Sequence, residues 1–316
     1  MSRVRVLAFS VALAIIAAVP FEGPSILAQA PGSPGVRFRA GVDVVLLNVT
    51  VTDGAKQHVT DLDLDDFTVL EEGRPQQLTF FRKADVQLAL ALLIDSSASM
   101  EQSLVTAQEA AIGFVDKLRP TDVATVIDFD SRAQVLAPFT NERPDLEAAI
   151  RRTASGGSTT MYNAIYIALR ELAKIKTDDE QQDGERMRRR AIVLLSDGED
   201  TSSLVTFDEV LDAALRSDSV IYTIGLGVSP SARREASDPS FVLTRLAQQT
   251  GGRAFFPTQA KDLTSVYGDI RYELASQYLI AYVSSGGRTG QWRRVSVRVN
   301  RPGVTVRTRQ GYFSGS

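Results

Sequence analysis

The sequence has no cysteine and a single histidine, His58, among its 316 residues. The absence of cysteine excludes a disulfide scaffold, a cysteine-based zinc site, a thiol nucleophile and a lipid-modified cysteine. A catalytic triad or a histidine-rich metal site could contain His58 as its only histidine. The sequence also lacks an excess of positive charge, since its net charge is −3. We therefore expect no nucleic acid among its partners.

Long hydrophobic runs are scarce as well. A mostly apolar run at residues 6–19 follows two arginines, and its length of about 14 residues falls short of the roughly 20 that span a bilayer. Small residues at Ala28 and Ala30 suit a signal peptidase. The pattern predicts a signal peptide at residues 1–30, cut after Ala28 or Ala30, with an uncleaved anchor as the alternative. We expect a secreted or periplasmic protein with no stable membrane insertion after cleavage.

The rest of the chain contains two kinds of hydrophobic pattern. Residues 37–85 and 278–314 contain short strand-like segments, whereas residues 88–275 alternate buried strands with amphipathic helices. The stretch at 88–94 is apolar at every position, which is typical of a strand covered on both faces. We predict an α/β fold with a doubly wound, mostly parallel sheet, inserted between N- and C-terminal β segments that pack together as a small β unit.

Two hairpins are predicted within the N-terminal β segment. Residues 44–52 form a strand, an Asp-Gly turn follows, and a second strand begins near His58. Residues 67–70 and 77–81 form the second pair of strands, joined by a turn at Glu-Gly.

Carboxylates and hydroxyls follow two of the predicted buried strands and occur in one further loop. Asp95 begins the sequence "DSSASM", Asp197 lies in "SDGED", and residues 155–160 read "SGGSTT". In open α/β sheets, ligands bind at the carboxyl ends of the strands. Two acids that point together repel each other unless a positive charge lies between them. Carboxylate and hydroxyl oxygens suit a hard divalent cation such as Mg²⁺.

These three motifs together resemble the metal-ion-dependent adhesion site (MIDAS) of von Willebrand factor type A (VWA) domains, which have a Rossmann-like fold. The resemblance assigns the metal site to Asp95, Ser97, Ser99, Thr159 and Asp197. We prefer Thr159 to the next threonine because "TMYNAI" then aligns with the start of the following helix. In the family, the serines and the threonine bind the metal directly, and the aspartates often act through water. The implied cofactor is Mg²⁺, or Mn²⁺ or Ca²⁺.

The flanking β segments resemble those of bacterial "VWFA-related" secreted proteins, which are typical of acidobacteria. The resemblance lies in "LLNVTVTD" and "HVTDLDLDDFTVLEEGRPQQLTFF" before residue 88, and in "SQYLIAYV" and "RRVSVRVNRPGVTVRTRQGYF" after residue 275. The two resemblances imply an extracytoplasmic binding protein rather than an enzyme, with a role in adhesion or complex assembly. Its partner would be a protein whose Asp or Glu carboxylate completes the metal shell. The partner's identity and the oligomeric state stay open.

Other interpretations of the same residues remain. Ser97 or Ser99 could cap a helix. Ser97 could be a hydrolase nucleophile, although no G-x-S-x-G motif surrounds it and the one histidine lies in the β segment. A metal-dependent hydrolase and a structural module with a vestigial metal site are the alternative functions.

Two further features have simpler interpretations. An acidic stretch has the spacing of a calcium loop but lacks its glycine, so we interpret it as a solvated turn; its acids are Asp61, Asp63, Asp65 and Glu72. Trp292 and Tyr312 are expected to be packing residues of the β unit rather than a binding platform.

Overall fold

Strands and helices alternate in the middle of the chain, and strands predominate towards its two ends. The structure, a computed structural model, describes residues 44–83, 86–175, 188–230, 238–284 and 289–315. The strands are β1 (Val44–Thr52), β2 (Phe67–Glu71), β3 (Arg74–Gln76), β4 (Leu78–Arg82), β5 (Leu88–Asp95), β6 (Val123–Phe129), β7 (Ala133–Thr140), β8 (Arg189–Ser196), β9 (Val220–Gly225), β10 (Ala254–Phe255), β11 (Tyr278–Val283), β12 (Trp292–Val299), β13 (Thr305–Arg307) and β14 (Gly311–Phe313). The helices are α1 (Leu104–Val115), α2 (Arg143–Arg151), α3 (Met161–Lys174), α4 (Phe207–Arg216), α5 (Pro239–Thr250) and α6 (Leu263–Ser276).

A six-stranded sheet in the order β10-β9-β8-β5-β6-β7 forms the centre of the α/β part. Neighbouring strands are parallel except for β7, which pairs antiparallel with β6 at one edge. Helices α1, α2 and α6 cover one face, and α3, α4 and α5 cover the other. Every residue of β5 is buried, because its side chains point alternately into the two helix-covered cores. The predicted doubly wound, mostly parallel sheet is confirmed.

The register of the central strands sets the position of the candidate site. Strand β5 lies between β6 and β8, and Ile94 pairs with Leu195. The next residues along the two strands, Asp95 and Ser196, therefore lie at the same carboxyl edge of the sheet. The loops that follow β5 and β8 leave the sheet side by side.

Both ends of the chain contribute to two four-stranded antiparallel sheets. One has the order β13-β1-β11-β4 and the other β14-β12-β2-β3, so each sheet combines strands from before and after the α/β part. Apolar side chains of both sheets share one core. Its buried members are Val45, Leu47, Val49, Val51, Leu62, Phe67, Val69, Tyr278, Ile280, Tyr282, Val295 and Tyr312.

The two hairpins predicted in the N-terminal segment are not formed as expected. Strand β2 does turn back, but its partner is β3, whereas β4 crosses to the other sheet and pairs with β11. Phe81 on β4 there stacks on Tyr278, with the ring centroids 5.8 Å apart. The predicted strand near His58 is reduced to a single bridge with Thr52, because β1 takes β11 and β13 as partners. In both cases burial against the C-terminal strands prevails over local hairpin pairing.

Buried polar contacts join the β strands to the α/β part. A single residue, Gln277, separates α6 from β11, and its Nε2 donates to Tyr222 Oη (2.9 Å) and Thr50 Oγ1 (3.2 Å). Tyr222 Oη donates in turn to Glu273 Oε1 (2.7 Å), and Arg307 forms an ion pair with the same carboxylate. The two parts therefore belong to one compact unit. The proposed division into domains at residues 85–88 and 275–278 stays a prediction.

None of the helices in the described ranges is long and apolar enough to cross a membrane. The predicted signal peptide at residues 1–30 lies outside the described residues.

Candidate functional site

The carboxylate of Asp95 is the most deeply buried group of the candidate site. The residue is 0% exposed at the end of β5. Its Oδ1 accepts from the Ser97 amide at 2.9 Å, and its Oδ2 accepts from the Ser196 hydroxyl at 2.6 Å. Burial raises the pKa of Asp95 to about 6, and the nearby charge of Asp197 acts in the same direction. A positive charge placed beside this carboxylate would be stabilised.

Hydroxyls connect the first loop to the third. Ser97 Oγ and Ser99 Oγ lie 3.1 Å apart, and Ser99 Oγ donates to Asp197 Oδ1 at 2.9 Å. Ser97 is buried, whereas Ser99 is exposed at the surface of the site. Burial also raises the pKa of Asp197. The side chains after β5 and β8 thus converge, as the strand register requires.

The capping interpretation of these serines does not hold. Ser97 precedes the short 3-10 helix Ala98–Met100 but makes no side-chain capping bond. The residue before α1 is Ser103, and its side chain makes no capping bond either. The hydroxyl of Ser97 faces Ser99 instead.

Backbone hydrogen bonds hold the second loop between the other two. The Gly156 amide donates to the Ser96 carbonyl (2.8 Å), and the Ala98 amide donates to the Gly157 carbonyl (3.2 Å). On the other side, the Thr159 amide donates to Thr201 Oγ1 at 3.0 Å. The Thr159 carbonyl accepts from the Thr201 amide at 2.9 Å. Thr159, which is 6% exposed, therefore lies between the loops that carry Asp95 and Asp197.

Gly157 is the position in this loop where only glycine fits. Its φ is +71°, a left-handed conformation, and a Cβ there would lie 2.1 Å from Ser131 Oγ. The same hydroxyl accepts from the Ser158 amide at 3.2 Å. The loop therefore lies directly against the turn after β6.

Residues outside the predicted metal-binding set support the site. Asp200 Oδ2 accepts from the Tyr162 amide (2.8 Å), and Ser203 Oγ accepts from the Asn163 amide (3.0 Å), so the third loop caps the start of α3. Asn163 Oδ1 accepts from the Leu204 amide (3.1 Å) in return. The only sequence signal was a cluster of short polar residues in "SDGEDTSS", which does not reveal their partners.

Comparison with known proteins agrees with this geometry. Residues 90–199 match the model of the von Willebrand factor type A domain family. This part of the chain is a VWA domain. An uncharacterized protein, sll0103, of Synechocystis sp. is 35% identical over 115 residues, which cover 35% of this chain and 25% of that protein. The chain thus matches about a quarter of the relative's length.

Two solved structures share the fold. A von Willebrand factor type A protein from Catenulispora acidiphila has a TM-score of 0.51 and 13% identity, over 88% of this chain and 76% of that one. Proximal thread matrix protein 1 from the mussel byssus, whose structure has a zinc-occupied MIDAS motif, has a TM-score of 0.50 and 15% identity. That match covers 66% of this chain and 50% of the mussel protein. The narrower likeness to secreted acidobacterial proteins stays a prediction.

The donor groups of the VWA site fit a hard cation. The five predicted residues bring two carboxylates and three hydroxyls, all oxygen donors of the kind that Mg²⁺, Mn²⁺ and Ca²⁺ take. Within the described ranges, no group of three or more His, Cys, Asp or Glu side chains could hold a metal. A cation at this VWA site would therefore depend on neutral hydroxyls as much as on charge.

The remaining sequence alternatives lie away from the VWA site. His58 stacks edge-on against Tyr272 near the end of α6, with the ring centroids 5.1 Å apart. At that position, His58 is not placed to act as a general base for Ser97. In the acidic stretch, Asp61 forms an ion pair with Arg301 (2.7 Å) and Asp63 forms one with Lys83 (3.0 Å). These pairs favour the solvated turn over a calcium loop.

Proposed function

We propose that the chain binds a protein partner through a divalent cation held by Asp95, Ser97, Ser99, Thr159 and Asp197. The observation that carries the proposal is the 2.9 Å hydrogen bond from Ser99 to Asp197, because it brings the side chains of two separate strand ends together. Buried Asp95 supports it, since a carboxylate with a raised pKa gains most from a cation. When bound, the cation would supply a Lewis acid that accepts an external oxygen ligand.

The partner group that fits this site best is a carboxylate. Three of the five donors are neutral hydroxyls, so at most two negative charges face a doubly charged ion. Such a site keeps the cation attractive to an anionic oxygen from outside. Ser99 is exposed, so this side of the site faces solvent, where an Asp or Glu of another protein can approach.

We propose Mg²⁺ as the cation, with Mn²⁺ and Ca²⁺ as substitutes, because the donors are all oxygens. The zinc in the MIDAS motif of the mussel byssus protein is a reason to include Zn²⁺ in the titration. Binding in place of hydrolysis is the proposed activity, since His58 lies by α6 and is no base for this site.

An extracytoplasmic location completes the proposal and rests on the predicted signal peptide at residues 1–30. Expression of the full chain followed by cell fractionation tests it. A secreted or periplasmic product that begins near residue 29 or 31 is expected. A product that keeps its N-terminal residues in the membrane fraction would favour an anchor.

Calorimetric titration of Mg²⁺, Mn²⁺, Ca²⁺ and Zn²⁺ into the metal-free protein tests the site itself. The wild type should bind one ion, Asp95→Ala should not, and Asp269→Ala, at an exposed position of α6, is the matched control. Absence of binding by the wild type would refute the metal site.

Capture of envelope proteins with and without EDTA then tests the partner. Metal-dependent turnover of phosphoester or peptide substrates would favour the hydrolase.

A further inference from the structure

An open groove lies where the second β sheet meets the helices. It has a volume of about 570 Å³, within the range of pockets that bind small ligands. Its main polar and aromatic lining residues are Arg245, Gln249, Trp292, Arg294, Gln310 and Phe313. These residues belong to the second half of α5, to β12 and to the region of β14. Because the helices run back from the carboxyl edge of the central sheet, the groove lies at the edge opposite Asp95.

The groove has an excess of positive charge in a chain whose net charge is −3. Arg245 and Arg294 are both exposed, and neither forms an ion pair with an acid within the described residues. The nearby Glu72 carboxylate accepts from the backbone amide of Arg294 at 2.5 Å. Two unpaired guanidinium groups at one groove favour a ligand with an acidic group, which they can bind through charge-assisted hydrogen bonds.

An aromatic surface lies beside these arginines. Trp292 is 39% exposed and packs edge-on against Phe313, with the ring centroids 5.2 Å apart. Phe313 is covered in turn by the guanidinium of Arg216, 4.1 Å from the ring centroid, and Asp212 neutralises that arginine. Trp292 thus packs on Phe313 and also presents apolar ring surface to the groove, whereas the sequence predicted packing in place of a binding role. The flat C–H face of a sugar ring can pack on such a surface.

Two amide side chains are fixed at the same groove. Gln249 Nε2 donates to Gln310 Oε1 at 2.9 Å. This bond orients both amides and leaves an acceptor oxygen on Gln249 and a donor group on Gln310. Such a pair can bond to hydroxyl groups, which both donate and accept.

We infer that the groove binds an acidic saccharide. Its carboxylate or sulfate group lies against Arg245 and Arg294, its ring packs on Trp292, and its hydroxyls bond to Gln249 and Gln310. An acidic peptide is a poorer fit, because the β12 residues that line the groove are already in strand pairs, Trp292 and Arg294 with β14 and Val295 with β2. Binding here requires no cation at the VWA site.

Trp292 makes the inference directly measurable, because it is the only tryptophan of the chain. The full chain, kept in EDTA, is titrated with trigalacturonate, a heparin-derived hexasaccharide, neutral maltotriose and hexaglutamate while its tryptophan emission is recorded. A saturable change with either acidic saccharide supports the inference, and the one that binds identifies the acidic group. Saturation by maltotriose or hexaglutamate at equal concentration, or by none of the four, would overturn it.

Substitutions at the arginines test the assignment. Arg245→Gln and Arg294→Gln should each weaken the binding about tenfold, the loss expected for one hydrogen bond to a charged group. Arg298→Gln is the matched control, since it removes the same charge from the same exposed face of β12 outside the groove lining. These exposed substitutions leave the fold intact, which circular dichroism checks. Unchanged binding by both groove variants, or equal weakening by the control, would refute the assignment.

Discussion

The buried carboxylate of Asp95 should make the metal-free protein less stable at neutral pH than at mildly acidic pH. Its pKa rises from 3.8 to about 6 on folding, because the folded protein removes it from water. The proton therefore favours the folded state, and this contribution is complete below about pH 4 and is lost as the pH rises through about 6. A shift of about two pKa units corresponds to about 3 kcal/mol of destabilisation at pH 7, and to about half of that at pH 5.

Asp95→Asn isolates this contribution. The asparagine keeps an oxygen for the Ser97 amide and places an NH₂ against the Ser196 hydroxyl, which can accept. In urea unfolding with EDTA, the variant should exceed the wild type in stability by up to about 3 kcal/mol at pH 7. The difference should shrink towards pH 5, because all other titrating groups are common to both proteins.

Saturating Mg²⁺ should reverse the order of stability at pH 7, since the cation binds the ionised wild-type site and stabilises only the folded state. Parallel pH profiles for the wild type and Asp95→Asn in EDTA would show that the carboxylate carries no desolvation penalty. That result would refute the reasoning.

Four further predictions concern the same molecule. Mg²⁺ affinity should fall about fourfold between pH 7.5 and 5.5 as Asp95 takes up its proton, which calorimetry at the two pH values measures. Ser196→Ala removes a hydrogen bond to the Asp95 carboxylate and should weaken Mg²⁺ binding about tenfold, whereas a variant that binds normally would deny Ser196 that role. Gly157→Ala should destabilise the protein by about 1–3 kcal/mol in thermal unfolding, and the double variant with Ser131→Gly should regain part of that loss; no recovery would contradict the proposed clash. Glu71→Ala should destabilise the protein by about 3–5 kcal/mol in urea unfolding, because it removes the buried carboxylate that pairs with Arg293 and accepts from Tyr282 and Tyr312; a neutral effect would contradict this.

The parts of the fold that can be predicted from sequence are those with a strong hydrophobic periodicity. Strand β5 is apolar from Leu88 to Ile94 because both of its faces are covered, and the alternation of strands and helices around it is enough to predict the parallel sheet. The loop motifs then follow from topology, since ligands of such sheets lie at the carboxyl ends of strands. The loops that carry Asp95, Ser99 and Asp197 could therefore be expected to meet, and the resemblance to VWA domains selected these three residues within them.

The β strands at the two ends of the chain were harder to predict. The local turn signal after β2 is correct, but the partner of β4 is β11, about 200 residues away. A hairpin signal reports only nearby residues, whereas burial of Phe81 against Tyr278 decides the pairing. The choice between a local and a distant partner strand depends on the whole core. A short stretch of sequence therefore does not contain the information that decides it.

The sequence by itself determined which oxygen donors make up the candidate metal site, because the motifs that carry them follow predicted strands and resemble those of VWA domains. Only the tertiary structure decided how those donors are held. Asp200 and Ser203 cap α3 from another loop, and Ser196 supports Asp95 from a neighbouring strand. The groove at Arg245 and Arg294 is likewise invisible in sequence, since its residues come from α5 and β12, about 50 positions apart. Hydrogen bonds and unpaired charges depend on distances in space, and residues remote in sequence meet only after the chain has folded.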